Sequence, residues 1–212
     1  MKGLKFFELG ISQEERKHRS SELLQNLNQE SIDVYNFLMD EFHKTNVRYN
    51  HLFQFVFRSF YRLDNAGLTP EFFSKYFEIM ELNRSNNSVD LRDILNPLYL
   101  IKNKKGHNSF QFSFATKLIN TIDPNQPIYD SKVSKAIYGV DYVISGDFDK
   151  KLEGYTRRYN LIKNTFSEIL TNNSYASVFK VFDEAFPENR LNNTKKLDFL
   201  FWSYGKLISP KK

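Results

Sequence analysis

Apolar residues recur along this chain every three to four positions, the spacing that places them on one face of an α-helix. Ser12-Gln13-Glu14-Glu15 reads as a capping box, and Leu23, Leu24 and Leu27 follow on one side. Val34, Phe37, Leu38 and Phe42 form a second stripe; Phe53, Val56, Phe57 and Phe60 form a third. Thr69-Pro70 sets a cap residue before a proline suited to a first helical position, and Phe72, Phe73, Tyr76, Phe77 and Met80 come after it. Phe148, Leu152, Tyr155, Tyr159, Ile162, Phe166 and Ile169 predict a helix of about six turns behind Asp147 as its cap. Tyr175, Val178, Phe179 and Phe182 predict one that stops before Pro187, and Leu197, Leu200, Phe201 and Tyr204 predict one that ends at Gly205. Strand signals are confined to Tyr99–Ile101 and Tyr142–Ile144. The pattern therefore predicts an all-α fold, a compact bundle of about eight to ten helices. It forms a single domain over residues 1–212, and the Asn/Ser loop Asn83–Ser88 marks where two lobes would part, near 83–90.

Composition narrows the class. With 41% hydrophobic residues, 21 Phe and 12 Tyr in 212 residues, the chain has the apolar surface for a core and is not disordered. It has no cysteine, hence no disulfide, thiolate metal site or cysteine nucleophile, which fits a reducing cytoplasm. The opening MKGLKFFELG runs into charge too soon for a secretory leader, and no apolar segment is long enough for a membrane span. The expectation is a cytoplasmic protein with no membrane association.

The net charge of +5 gains meaning when it is located. Residues 1–100 carry 12 Lys/Arg against 14 Asp/Glu; residues 101–163 carry 11 against 6; residues 164–212 carry 7 against 5. The excess lies in the middle third, where a basic field would attract phosphates. Lys102, Lys104, Lys105, Lys132, Lys135, Arg157 and Arg158 are the candidate nucleic-acid contacts there. An Asn- and Lys-rich composition can equally reflect an AT-rich genome.

Familiar chemistry is otherwise missing. His18, His43, His51 and His107 lie in separate segments without metal-ligand spacing, and there is no G-x-S-x-G, Walker or G-x-G-x-x-G sequence. No cofactor and no metal is expected.

The segment Ser109–Gly139 stands out. Ser109 or Ser113 can cap a helix bearing Phe110, Phe114, Leu118, Ile119 and Ile122, which Pro124 and Pro127 must end. Asp130 then opens a basic helix containing Lys132, Val133, Lys135 and Ile137. Two readings of Lys117 and Asp130 stand side by side. They are a catalytic lysine–aspartate pair, or a solvated, snorkelling lysine and a helix N-cap.

Phe114-Ala115-Thr116-Lys117-Leu118, followed by Pro127-Ile128-Tyr129-Asp130-Ser131-Lys132-Val133, resembles the centre of the helix-hairpin-helix DNA glycosylases of the 8-oxoguanine glycosylase type. The chain is also similar to a group of uncharacterised bacterial helical proteins. They pair this segment with a closing Leu-Asp-x-x-Leu-Trp-x-x-Gly-Lys, here Leu197 to Lys206 with Phe201 at the second leucine position. The first resemblance implies a DNA-glycosylase-like fold, duplex DNA as partner, Lys117 as nucleophile and Asp130 as catalytic aspartate. The chain departs from that pattern in four places. Gln111-Phe112-Ser113-Phe114 replaces the glycine hairpin that holds a phosphate, Ile128-Tyr129 replaces the usual valine, Lys117 and Asp130 are closer in sequence than in that family, and Lys117 falls inside its expected helix rather than at the start of one. The alternative is a non-catalytic helical protein-interaction or regulatory module.

Overall fold

The computed structural model describes residues 12–86, 88–139, 143–172 and 175–209. Asn87, the opening MKGLKFFELG and the Tyr142 half of the second expected strand lie outside the described residues. Among these residues the chain is all-helical: α1 Gln13–Leu24, α2 Gln29–Lys44, α3 His51–Phe60, α4 Pro70–Leu82, α5 Leu91–Leu100, α6 Phe112–Ile122, α7 Ser131–Tyr138, α8 Phe148–Thr171, α9 Ala176–Ala185 and α10 Asn193–Leu207, with a 3-10 turn at Leu63–Ala66. The expected strand at Tyr99–Ile101 is instead the end of α5, and an isolated antiparallel bridge joins Lys102 to Asn108 just beyond it.

Local chemistry accounts for most helix starts. Ser12, Asn28, Asn50, Thr69, Asp90, Asp130, Asp147 and Asn192 each accept a first-turn amide with a side-chain oxygen. α6 and α9 are the exceptions. α6 starts at Phe112 behind Gln111 with no side-chain cap, so neither Ser109 nor Ser113 caps it. Ser109 lies outside the helix and Ser113 inside its first turn. α7 ends on Gly139 at φ 75°, a left-handed position that favours glycine.

The apolar stripes converge on one continuous core that runs from Leu23 in α1 to Phe201 in α10. Phe53, Phe57, Tyr76 and Phe77 pack edge-on or tilted between α3 and α4, and Phe166 stacks on Phe201 between α8 and α10. On α2 the buried line is Ile32, Tyr35, Leu38 and Phe42, with Val34 and Phe37 only half-buried beside it.

α10 does not stop at Gly205; it runs through it to Leu207. A Cβ at Gly205 would stand 2.0 Å from the Lys132 carbonyl oxygen. The glycine is therefore the contact that lets α10 lie against the first turn of α7. No helix among the described residues is long and apolar enough to cross a membrane.

Candidate functional site

The turn between α6 and α7 is fixed from three sides. Asn120 donates to the Gln126 carbonyl at 2.7 Å, and the Tyr129 amide donates to Thr116 Oγ1 at 3.0 Å, both tying it to α6. From α8, the Tyr159 hydroxyl donates to the Pro127 carbonyl at 2.8 Å. From the start of α10, Asn192 donates to the Pro124 carbonyl at 2.9 Å, and Asp198 Oδ1 accepts the Ile128 amide at 3.2 Å. Two prolines remove amides from this turn, and these bonds satisfy carbonyls and amides that the helices cannot.

Asp130 ends the turn. Its Oδ1 accepts the Lys132 amide at 2.8 Å as the N-cap of α7, and its side chain borders a cleft of about 660 Å3. Lys117, from the middle of α6, borders the same cleft. It is not solvated: 6% of it is exposed. Its ammonium donates to the Tyr61 carbonyl at the end of α3 (3.3 Å) and lies 4.9 Å from the Phe114 ring centre and 5.6 Å from that of Tyr61. Burial lowers the Lys117 amine from 10.5 to about 8; the charge of Asp130 opposes that shift, and Lys195 and Arg62 reinforce it.

A second lysine–aspartate pair shares the cleft. Lys195 and Asp198 are each 4% exposed, and their charged groups are 3.5 Å apart. Three rings surround the Lys195 ammonium, Tyr35 at 4.6 Å, Phe199 at 5.0 Å and Tyr61 at 5.7 Å. Burial outweighs their mutual attraction, so Lys195 is lowered and Asp198 is raised to about 6. Arg62 completes the cationic lining. It is the one non-glycine residue with positive φ (57°) among the described residues, a strained conformation at the mouth of the cleft.

One wall is aromatic. Phe110, Phe112 and Tyr155 lie with their planes within 18–23° of parallel, and Tyr129 meets Phe112 edge-on at 5.3 Å. Phe112 and Phe114 occupy the stretch where a glycine hairpin would leave amides free, and both are buried.

The sequence-selected basic residues disperse. Lys132 borders the cleft and donates to Ser209 at 2.9 Å. Arg158 reaches its wall, 3.4 Å from the Tyr129 hydroxyl and 5.8 Å from the Tyr155 ring centre. Lys135 lies farther along α7. Lys102, Lys104 and Lys105 are exposed on the loop between α5 and α6, away from the cleft lining. Arg157 pairs with Glu153 at 2.9 Å and faces a different depression that Asp90, Asp93, Asp123 and Asp149 also line.

The sequence places Asp198 only within the closing segment and singles out neither Lys195 nor Arg62. Lys195 and Asp198 did carry a signal: charged residues three apart amid Leu197, Phe199, Leu200 and Phe201, where an apolar helix face should have none. Arg62 carried none. The chain matches no protein-family model, and no curated protein or solved structure is significantly similar to it.

Proposed function

We propose that this protein binds nucleic acid across the cleft and excises a base from DNA, with Lys117 as the attacking amine and Asp130 as its carboxylate partner. The observation that carries this reading is the state of Lys117: a buried amine lowered to about 8, in an open cleft that Asp130 also lines. An amine with that value is about a quarter neutral at pH 7.5, against about a thousandth for an ordinary lysine. About 660 Å3 lies within the usual range for small-ligand pockets.

The chemistry follows from these positions. A base turned out of the duplex lies against the Phe110, Phe112 and Tyr155 wall. Neutral Lys117 Nζ attacks the sugar C1′, the bond from C1′ to the base breaks, and its electron pair leaves with the base, which takes up a proton. Loss of a proton from nitrogen and protonation of the ring oxygen open the sugar and leave an iminium on Lys117. Asp130 stabilises the positive charge that grows at C1′ and accepts the proton from the attacking nitrogen. Water then releases the sugar aldehyde and regenerates the amine. Lys132, Arg62 and Arg158 at the rim supply phosphate contacts.

Borohydride reduction tests this directly. Incubated with duplex DNA carrying an abasic site or an oxidised purine, the native protein becomes covalently linked to the strand, and Lys117→Ala does not. A link of equal yield in Lys117→Ala removes Lys117 from the mechanism.

One observation favours the alternative of a non-catalytic interaction module. α6 opens with buried Phe112 and Phe114 rather than glycines, so the backbone there lacks the glycines that would let a phosphate approach closely. Under that reading the folded protein fails to bind duplex DNA even at low salt.

A further inference from the structure

Tyr61 joins the two lysines of the cleft. Its ring centre is 5.6 Å from Lys117 Nζ and 5.7 Å from Lys195 Nζ, and its carbonyl accepts from Lys117. Two buried cations thus flank one ring, in a setting where like charges repel far more than in water. Lys195 has little freedom to move away: Tyr35 and Phe199 close its cage, and Asp198 stands 3.5 Å from its ammonium. Asp198 in turn accepts the Ile128 amide, two residues before Asp130.

We propose that Lys195, anchored by Asp198, is a positioning residue for Lys117: its caged ammonium opposes protonation of the Lys117 amine, while Asp198 fixes the turn that presents Asp130. The pair acts through Lys117 and touches no substrate, and its part in catalysis rests on Lys117 being the reacting amine proposed above. Other groups around Lys117 do not substitute for it. Asp130 on α7 favours the charged amine, and Arg62 opposes it from the exposed mouth, where solvent screens it. Burial holds the hydroxyls of Tyr61 at the end of α3 and Tyr76 on α4 neutral, well above their ordinary range, so neither contributes a charge at neutral pH. Asp198 pairs with the Lys195 ammonium at 3.5 Å, and the charge of Lys195 still opposes protonation of the Lys117 amine.

Competitive acylation with acetic anhydride across a pH series, read lysine by lysine by mass spectrometry, gives the titration midpoint of Lys117 without DNA. In Lys195→Gln the midpoint rises by about one pH unit, a tenfold smaller neutral fraction at pH 7. Lys195→Arg retains the cation and keeps the native midpoint. If Lys195→Gln does not fold, the double variant Lys195→Met/Asp198→Asn replaces both charges together. Its methionine suits the aromatic cage, its Asn oxygen still accepts the Ile128 amide, and its Lys117 midpoint also rises. An unchanged midpoint in a folded variant lacking the Lys195 charge overturns the proposal and leaves the pair a structural ion pair. Failure of borohydride trapping while the midpoint rises as stated rejects the DNA reaction and not the positioning pair.

Discussion

At the scale of single residues, the buried lysines are where stability and reactivity conflict. Lys117 falls from 10.5 free to about 8 in the fold, so the folded protein holds fewer protons than the unfolded chain between those two values. Stability therefore rises with pH across that window, and the charged form is a burden below it. Replacing Lys117 by methionine is expected to raise stability by about 2–3 kcal/mol at pH 7, since each pKa unit is worth about 1.4 kcal/mol and the lost bond to Tyr61 offsets part of the gain. The advantage fades as pH rises from 8 to 10.5, and paired denaturant titrations across that range check it. A methionine variant that is less stable at every pH contradicts the assigned state. The sequence exposed Lys117 as a candidate through its neighbours alone. Whether it pointed to water or to the interior depended on α3 and α10, more than fifty residues away on either side.

At the scale of elements, the junction of α7 with α10 orders the site. The Asp130 cap, the Lys132 carbonyl and the Ile128 amide all lie where the start of α7 meets α10. Gly205→Ala adds one methyl group at 2.0 Å from a backbone oxygen, and neither helix can swing a side chain aside to admit it. Helix propensity alone favours alanine by about 1 kcal/mol, while overpacking costs about 1–3 kcal/mol or more, so the clash wins and the variant melts lower. A thermal melt decides it; a Gly205→Ala protein as stable as the native one means the helices separate freely. The position of α10 in the sequence was legible from Leu197, Leu200 and Phe201. The role of Gly205 was not, because a glycine that ends a helix and one that admits a neighbour look alike in a sequence.

At the scale of the whole molecule, the charge of the middle third divides between surfaces. Lys132 and Arg158 serve the cleft, whereas Arg157 faces carboxylates and Lys102, Lys104 and Lys105 sit on a separate loop. DNA binding through the cleft rim is thus expected to involve about three phosphates, giving a slope near −3 in log affinity against log salt, from about −0.9 per phosphate. Filter-binding or anisotropy across a salt series measures it. A slope of −6 or steeper points to the loop lysines and a wider basic face; an absence of binding at low salt removes DNA. The chain by itself determined the all-α class, the caps at Ser12, Thr69, Asp130 and Asp147, and the apolar stripes in outline, because helix period and capping are local properties; on α2 the face that packed inward was that of Ile32 and Tyr35 rather than Val34 and Phe37. It could not determine that Lys117 is buried, that Lys195 and Asp198 join it, or that Arg157 leaves the basic group. Those outcomes depend on which helix faces meet, and that was decided only when α3, α6, α7 and α10 packed around one cleft.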